Sequence, residues 1–164
     1  GSTPVLINGS FELPKIPSSW QLIDEAQVPG WLTNAGDNKI ELAQSDAYGI
    51  PAFDGIQFDE LNASSAAALY QDIATTPGST ILWGFAHRGR NGTDTVSLRL
   101  GSPSSVAEQA KFNTTNSTWL EFTGTYVVPA GQTTTRVEFF PLATAGNKAN
   151  EGNLLDGIVI CRLP

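Results

Sequence analysis

A single cysteine, Cys161, denies this 164-residue chain any internal disulfide or thiolate metal cluster, so it reads as a small apolar side chain near the end of the last strand. One histidine, His87, and the lack of a Gly-X-Ser-X-Gly run leave no acyl-transfer machinery, and no phosphate-cradling glycine loop precedes a helical pattern. Long apolar runs are missing as well. The longest uncharged stretches, such as Ile73 to His87, are broken by Thr, Pro, Gly and Ser, and none supplies the roughly 18 apolar residues of a membrane helix. Basic residues are few: nine Lys and Arg against sixteen Asp and Glu give a net charge of -7. That balance excludes nucleic acid as a partner and disfavours anionic membranes. Methionine is absent, and Gly1-Ser2 reads as a cloning scar, so residues 3–164 are expected to be one excised or processed module.

What is present suits a packed, strand-rich fold. Hydrophobic residues make up 40% of the chain, with four Trp, three Tyr and eight Phe, enough for one core. Sixteen Gly and ten Pro leave short runs that alternate apolar and polar, the period of strands. These runs are Val5 to Ile7, Lys39 to Ala43, Gly55 to Ala63, Ala67 to Ile73, Thr80 to Arg88, Thr95 to Leu100, Leu120 to Val128, Thr134 to Leu142 and Gly157 to Cys161. They predict an all-β antiparallel sandwich. Pro14 to Asn38 and Ser102 to Thr118 lack the pattern and are expected to be functional loops or to hold one helical turn. The abundance of Ser, Thr, Asn and Gly with only four Lys suits a secreted chain.

Strand parity sorts the side chains. Ile81, Trp83, Phe85 and His87 fall on the inward side, with His87 a satisfied core residue. Leu82, Gly84, Ala86, Arg88 and Arg90 fall on the other face, where the small residues leave open space beneath two guanidinium groups. Asp59 shares the inward parity of Leu61, and a buried carboxylate requires a partner such as His87 or a backbone turn.

An ordered set of short motifs runs along nearly the whole chain: Asn8-Gly9-Ser10-Phe11-Glu12, Pro29-Gly30-Trp31, Leu69-Tyr70-Gln71-Asp72, Thr76-Pro77-Gly78, Trp119 to Tyr126, and Leu155-Asp156-Gly157-Ile158. This series resembles the galactose-binding-like jelly rolls, particularly carbohydrate-binding modules of families four, nine and twenty-two and related repeats in bacterial surface proteins. The resemblance implies adjacent first and last strands and a structural calcium (Ca2+) whose matching positions are Gly9, Glu12 and Asp156. Alternatively, Glu12 and Asp156 merely solvate a strand end. Phe85-Ala86-His87-Arg88-Gly89-Arg90-Asn91-Gly92-Thr93-Asp94-Thr95 resembles a subgroup found in bacterial extracellular proteins.

With family-like pairing, Arg88 and Arg90 face Glu60 and Asn62, a set of forked donors and acceptors suited to sugar hydroxyls. The competing expectation is an internal salt bridge from Arg88 to Glu60 or Glu41. The resemblance places Trp31, Trp83 and Trp119 at family positions that are usually buried, which leaves Trp20 and Tyr48, outside the runs, as stacking candidates. The implied function is a non-catalytic carbohydrate-binding module of a secreted or cell-surface bacterial protein. It would bind polysaccharide or oligosaccharide on an open sheet face and accompany an appended domain of its parent chain. The alternative is a structural or adhesive surface-protein domain that binds protein or no ligand.

Overall fold

Alternation in the run Thr80–Arg88 buries Ile81, Trp83, Phe85 and His87 on one side, and the same rule builds the rest of the molecule. The computed structural model describes residues 3–164, so the expectation for Gly1-Ser2 lies outside the described residues. Twelve strands follow in order: β1 Thr3–Pro4, β2 Trp20–Asp24, β3 Leu32–Thr33, β4 Lys39–Gln44, β5 Gln57–Glu60, β6 Leu69–Ala74, β7 Thr80–Arg88, β8 Asp94–Ser102, β9 Ser105–Thr114, β10 Leu120–Val127, β11 Thr134–Ala143 and β12 Leu154–Arg162. The first sheet has the order β10-β7-β12-β5-β4-β2, with β1 also on β12, and the second has the order β3-β6-β11-β8-β9. All pairings are antiparallel, so the chain is the expected jelly-roll sandwich. Thr3 pairs with Arg162, which sets the two described ends side by side.

Two segments expected to be functional loops or to hold one helical turn hold strands, and the earlier in the chain also holds a single 3-10 turn at Glu25–Gln27. Ser102 to Thr118 contains β9, which turns back on β8 through Pro103 and Ser104 and carries Phe112 to the core. Phe112 lies 5.0 Å from Phe85 and 4.6 Å from Phe122, closing an aromatic cluster between the sheets. Pro14 to Asn38 contains β2, an edge strand on β4, and the two residues of β3.

The segment His87 to Asp94 is a structural junction. His87 is buried, with Nδ1 2.8 Å from Thr114 Oγ1 and Nε2 2.8 Å from Asn153 Oδ1. Because the Asn153 amide donates to Asn62 and to the Ala143 carbonyl, its oxygen accepts, and His87 is the neutral ring with the proton on Nε2. Burial pushes its pKa down to about 4. The buried Asp94 carboxylate accepts the N–H groups of Arg90, Ala145 and Asn153 at 2.8 to 3.0 Å, which binds three loops together. A Cβ at Gly89 would overlap the carbonyl oxygens of Gly92 and Thr114, so only glycine fits this turn.

Asp59 corrects an expectation. Asp59 is 1% exposed, and among the described residues neither His87 nor a turn bonds it and its Oδ2 has no hydrogen-bond partner. Burial, reinforced by Glu60 and Asp156, holds its pKa well above the ordinary carboxyl range. A folded pKa above the unfolded value of about 3.9 means that the protonated form stabilises the fold at acid pH, and that this stability is lost as pH rises through the folded value. Asp59→Asn, which mimics the protonated acid, is expected to raise the melting temperature near pH 8 and to change it little near pH 4. A pH series of thermal melts on both proteins checks this.

Candidate functional site

The outer faces of the two sheets differ in how their charges are used. On the second sheet, Arg136 bonds Asp72 through Nε and Nη2 at 2.8 and 3.0 Å and lies 3.9 Å over the Tyr70 ring. Arg99 pairs with Glu138 at 3.5 Å and lies over Phe140. That face is filled by its own ion pairs.

On the first sheet, residues 45–56 fold back over the strands instead of leaving the face open. Ala47 and Ile50 pack on Ala43, Phe58 and Leu154, with Tyr48, Ala52 and Trp119 around them. Asp46, Tyr48 and Gly49 take the left-handed conformation at φ of 74°, 59° and 73°. For tyrosine this is uncommon and costs on the order of 1–3 kcal/mol, so neighbouring contacts must hold it. Three do so: its hydroxyl donates to Glu41 Oε2 at 2.7 Å, Arg90 lies 3.7 Å over its ring, and Phe58 meets it edge-on.

The loop leaves a cavity of about 280 Å³ on the β2 side, lined by Trp20, Leu22, Glu41, Tyr48, Arg90 and Glu151 among others. Its wall is a charged stack. Glu41 and Glu60 stand directly opposite on β4 and β5, both buried. Arg90 Nη1 donates to both Glu60 oxygens at 3.1 and 2.9 Å, and the Gly152 N–H donates to Oε2 at 2.8 Å. Burial, with the Glu41 carboxyl beside it, nevertheless raises the proton affinity of Glu60. Trp20 is 49% exposed at the end of β2.

The expected residues therefore part company. Trp20, Tyr48, Glu60 and Arg90 come together. Arg88 does not: its Nε and Nη2 donate to the Asn116 carbonyl at 3.1 and 2.8 Å, and the ion pair expected of it belongs to Arg90. Asn62 does not either, because it is buried, donating to the Ala149 carbonyl and accepting from Asn153. Ser64, Asn150 and Glu151 complete the lining without any signal in their local sequence.

The expected calcium set is used differently. Glu12 Oε1 and Oε2 accept the N–H groups of Ile56 and Gln57, each at 2.9 Å. Asp156 Oδ2 accepts those of Phe53 and Asp54, its Oδ1 accepts that of Gly157, and the Gly9 carbonyl accepts the Ile158 N–H. Calcium requires about six to eight oxygens free to face it. Here the oxygens face N–H donors, those of Phe53, Asp54 and Ile56 in the 45–56 loop and those of Gln57, Gly157 and Ile158 in the strands, and among the described residues no three His, Cys, Asp or Glu side chains converge on a metal position. Gly9, Glu12 and Asp156 do not fit the ion.

No family model and no curated protein matches the chain. Solved structures do. An endo-1,4-β-D-xylanase of Clostridium thermocellum, determined as its N-terminal CBM22-1 and GH10 modules with xylohexaose, is similar over 99% of this chain at 16% identity and TM-score 0.61, and the match spans 29% of that chain. The CBM22-1 xylan-binding domain of a Paenibacillus barcinonensis xylanase matches over 90% of this chain and 97% of its own, at 11% identity and TM-score 0.57. A CBM4 structure matches over 96% and 99%, at 12% identity and TM-score 0.52. At these identities the likeness establishes the fold, a jelly roll of the kind shared by carbohydrate-binding modules of families 22 and 4.

Proposed function

We propose that the chain is a non-catalytic glycan-binding module whose site is the cavity beside Trp20. The observation that carries this reading is an exposed indole flanking a polar cavity whose far wall, Tyr48 and Arg90, is already locked in place. Sugars bind where an apolar ring face meets an aromatic plane and where rigid polar groups meet hydroxyls. Because Tyr48 and Arg90 are ordered before the ligand arrives, little entropy is lost on binding. Each hydroxyl gives up water and contributes only about 1 kcal/mol net, so affinities between millimolar and micromolar, about -4 to -8 kcal/mol, are expected.

Hydrolysis is not the function of these acids. A glycosidase needs two carboxyls about 5–9.5 Å apart acting separately. Glu60 is instead committed to Arg90 and the Gly152 N–H, and Glu41 to the Tyr48 hydroxyl. The likeness to xylan-binding modules supports xylan as the first ligand to test, and supports an extracellular protein in which this module accompanies another domain. The test is affinity electrophoresis through gels containing xylan, mixed-linkage glucan, galactan or polygalacturonate. Retardation in a neutral polysaccharide is expected. Unretarded migration in every gel overturns the reading and leaves the structural or adhesive module in its place.

A further inference from the structure

The 45–56 loop partitions the outer face of the first sheet, and a second, larger cavity of about 490 Å³ lies on its other side, lined by Ser10, Phe53, Asp54, Gly84, Glu121, Thr123 and Val159 among others. We infer that this cavity is a second binding site for neutral oligosaccharide, separate from the site beside Trp20. The inference extends the glycan-binding reading above and rests on it for the class of ligand.

The cavity is built by the same local rules as the rest of the face. Gly84 keeps the floor low: a Cβ there would stand 3.1 Å from Val159 Cγ2 and 3.5 Å from the Phe122 carbonyl. Val159, 47% exposed, and Phe53, 39% exposed, supply apolar surface at the floor and wall. The Phe53 ring is fixed, tilted 6.1 Å from Trp119 and resting over Gly157, where φ is +55° and a Cβ would meet the ring at 3.0 Å. Behind it, the N–H groups of Phe53 and Asp54 are held by the Asp156 carboxylate. A ring so anchored presents a platform that does not have to order on binding. The polar minority is equally settled, since Ser10 Oγ donates to Asp54 Oδ2 at 2.6 Å and Thr123 Oγ1 donates to the Trp83 carbonyl.

Charge selects the ligand. The charged residues lining this cavity are Asp54 and Glu121, and no Lys or Arg lines it. Carboxylates accept hydroxyl donors and repel sugar acids, so the fitting ligand is a neutral oligosaccharide, whereas a uronate would be rejected. The cavity is a different place from the Trp20 site: β7 and β2 are four strand intervals apart, roughly 19 Å at ~4.8 Å each.

The test is a ¹H–¹⁵N NMR titration of the labelled protein with xylotriose, alongside trigalacturonate. With xylotriose, two groups of resonances should move, the Trp20 indole with the Tyr48 and Ser64 amides, and the Gly84, Thr123 and Val159 amides; trigalacturonate should leave the second group still. Val159→Arg, at an exposed position, lays a long side chain across the second cavity; it should weaken binding there at least tenfold, with the Trp20 group and the melting temperature unchanged. Trp20→Ala should do the reverse. Movement of the Trp20 group alone overturns this inference and leaves the first site standing. Movement of the Gly84 group alone overturns the first site and supports the second, and movement of neither overturns both.

Discussion

Asp94→Ala is expected to destabilise the fold by about 3 kcal/mol, because it removes the buried carboxylate that accepts from the N–H groups of Arg90, Ala145 and the buried Asn153. Hydrogen bonds to a charged acceptor contribute roughly 1.5–3 kcal/mol each, but they share one carboxylate and do not add fully. For a chain of this length the melting temperature should fall by roughly 6–12 °C. The substitution also cuts the ties between the turn at Arg90, the loop at Ala145 and the start of β12 at Asn153, which seats the His87 ring. Asp94→Asn keeps one acceptor oxygen but turns an amide N–H₂ toward N–H donors, so it should lie between the two. Differential scanning calorimetry of the three proteins checks the order, and equal melting temperatures would mean that these loops are held by other contacts.

The same residues show how far the sequence could be read. The core strands are legible because their buried face forces alternation: Ile81, Trp83 and Phe85 on β7 are inward as expected, and the same rule buries Val96, Leu98 and Leu100 on β8. β9 and β2 were not legible, because they are edge strands. Exposed on most positions, Ser105–Thr114 carries Ala, Glu, Gln and Lys where a central strand would need apolar residues.

Parity failed for Arg88 and Arg90 for a related reason. Strand periodicity holds only as far as the ladder, which ends at Arg88, and the Gly89 turn then sends Arg90 toward Glu60 while Arg88 turns to Asn116. The loop over the sheet was not legible either. It is held by Glu12 and Asp156, whose partners lie more than 40 and 100 residues away in sequence.

Arg90→Ala is expected to approach the stability cost of Asp94→Ala only at alkaline pH, where Glu60 ionises. The guanidinium is the cation bonded to the buried Glu60 carboxylate, and it also holds Tyr48 in its left-handed conformation. Removing one partner of a buried ion pair costs about 3–5 kcal/mol when the remaining charge cannot escape. Here Glu60 can escape by taking a proton, since burial and Glu41 already raise its proton affinity. The sign follows from linkage: with a folded pKa above the unfolded value, stability is retained at acid pH and lost as pH rises through the folded pKa. Glu60, pushed up to about 9, moves higher still without the guanidinium, so the variant should melt only a few degrees below the parent from pH 5 to pH 8, and the gap should widen by several degrees above about pH 9. Arg90→Lys keeps the charge but not the planar stack on Tyr48, so it should restore most of the high-pH stability and little of the sugar binding. A deficit in Arg90→Ala that does not grow above about pH 9 would contradict the raised proton affinity of Glu60.

The central claim, that glycan binds against Trp20, is tested most directly by Trp20→Ala in the affinity gels and in a thermal melt. Because the indole is 49% exposed on an edge strand, its loss should leave the melting temperature within about 2 °C of the parent. Loss of a stacking platform worth roughly 1.5 kcal/mol or more should weaken binding at that site at least about tenfold. Retardation weaker than the parent's, with an intact fold and any remainder carried by the second cavity, is the predicted result. Retardation equal to that of the parent, at an unchanged melting temperature, would contradict the claim.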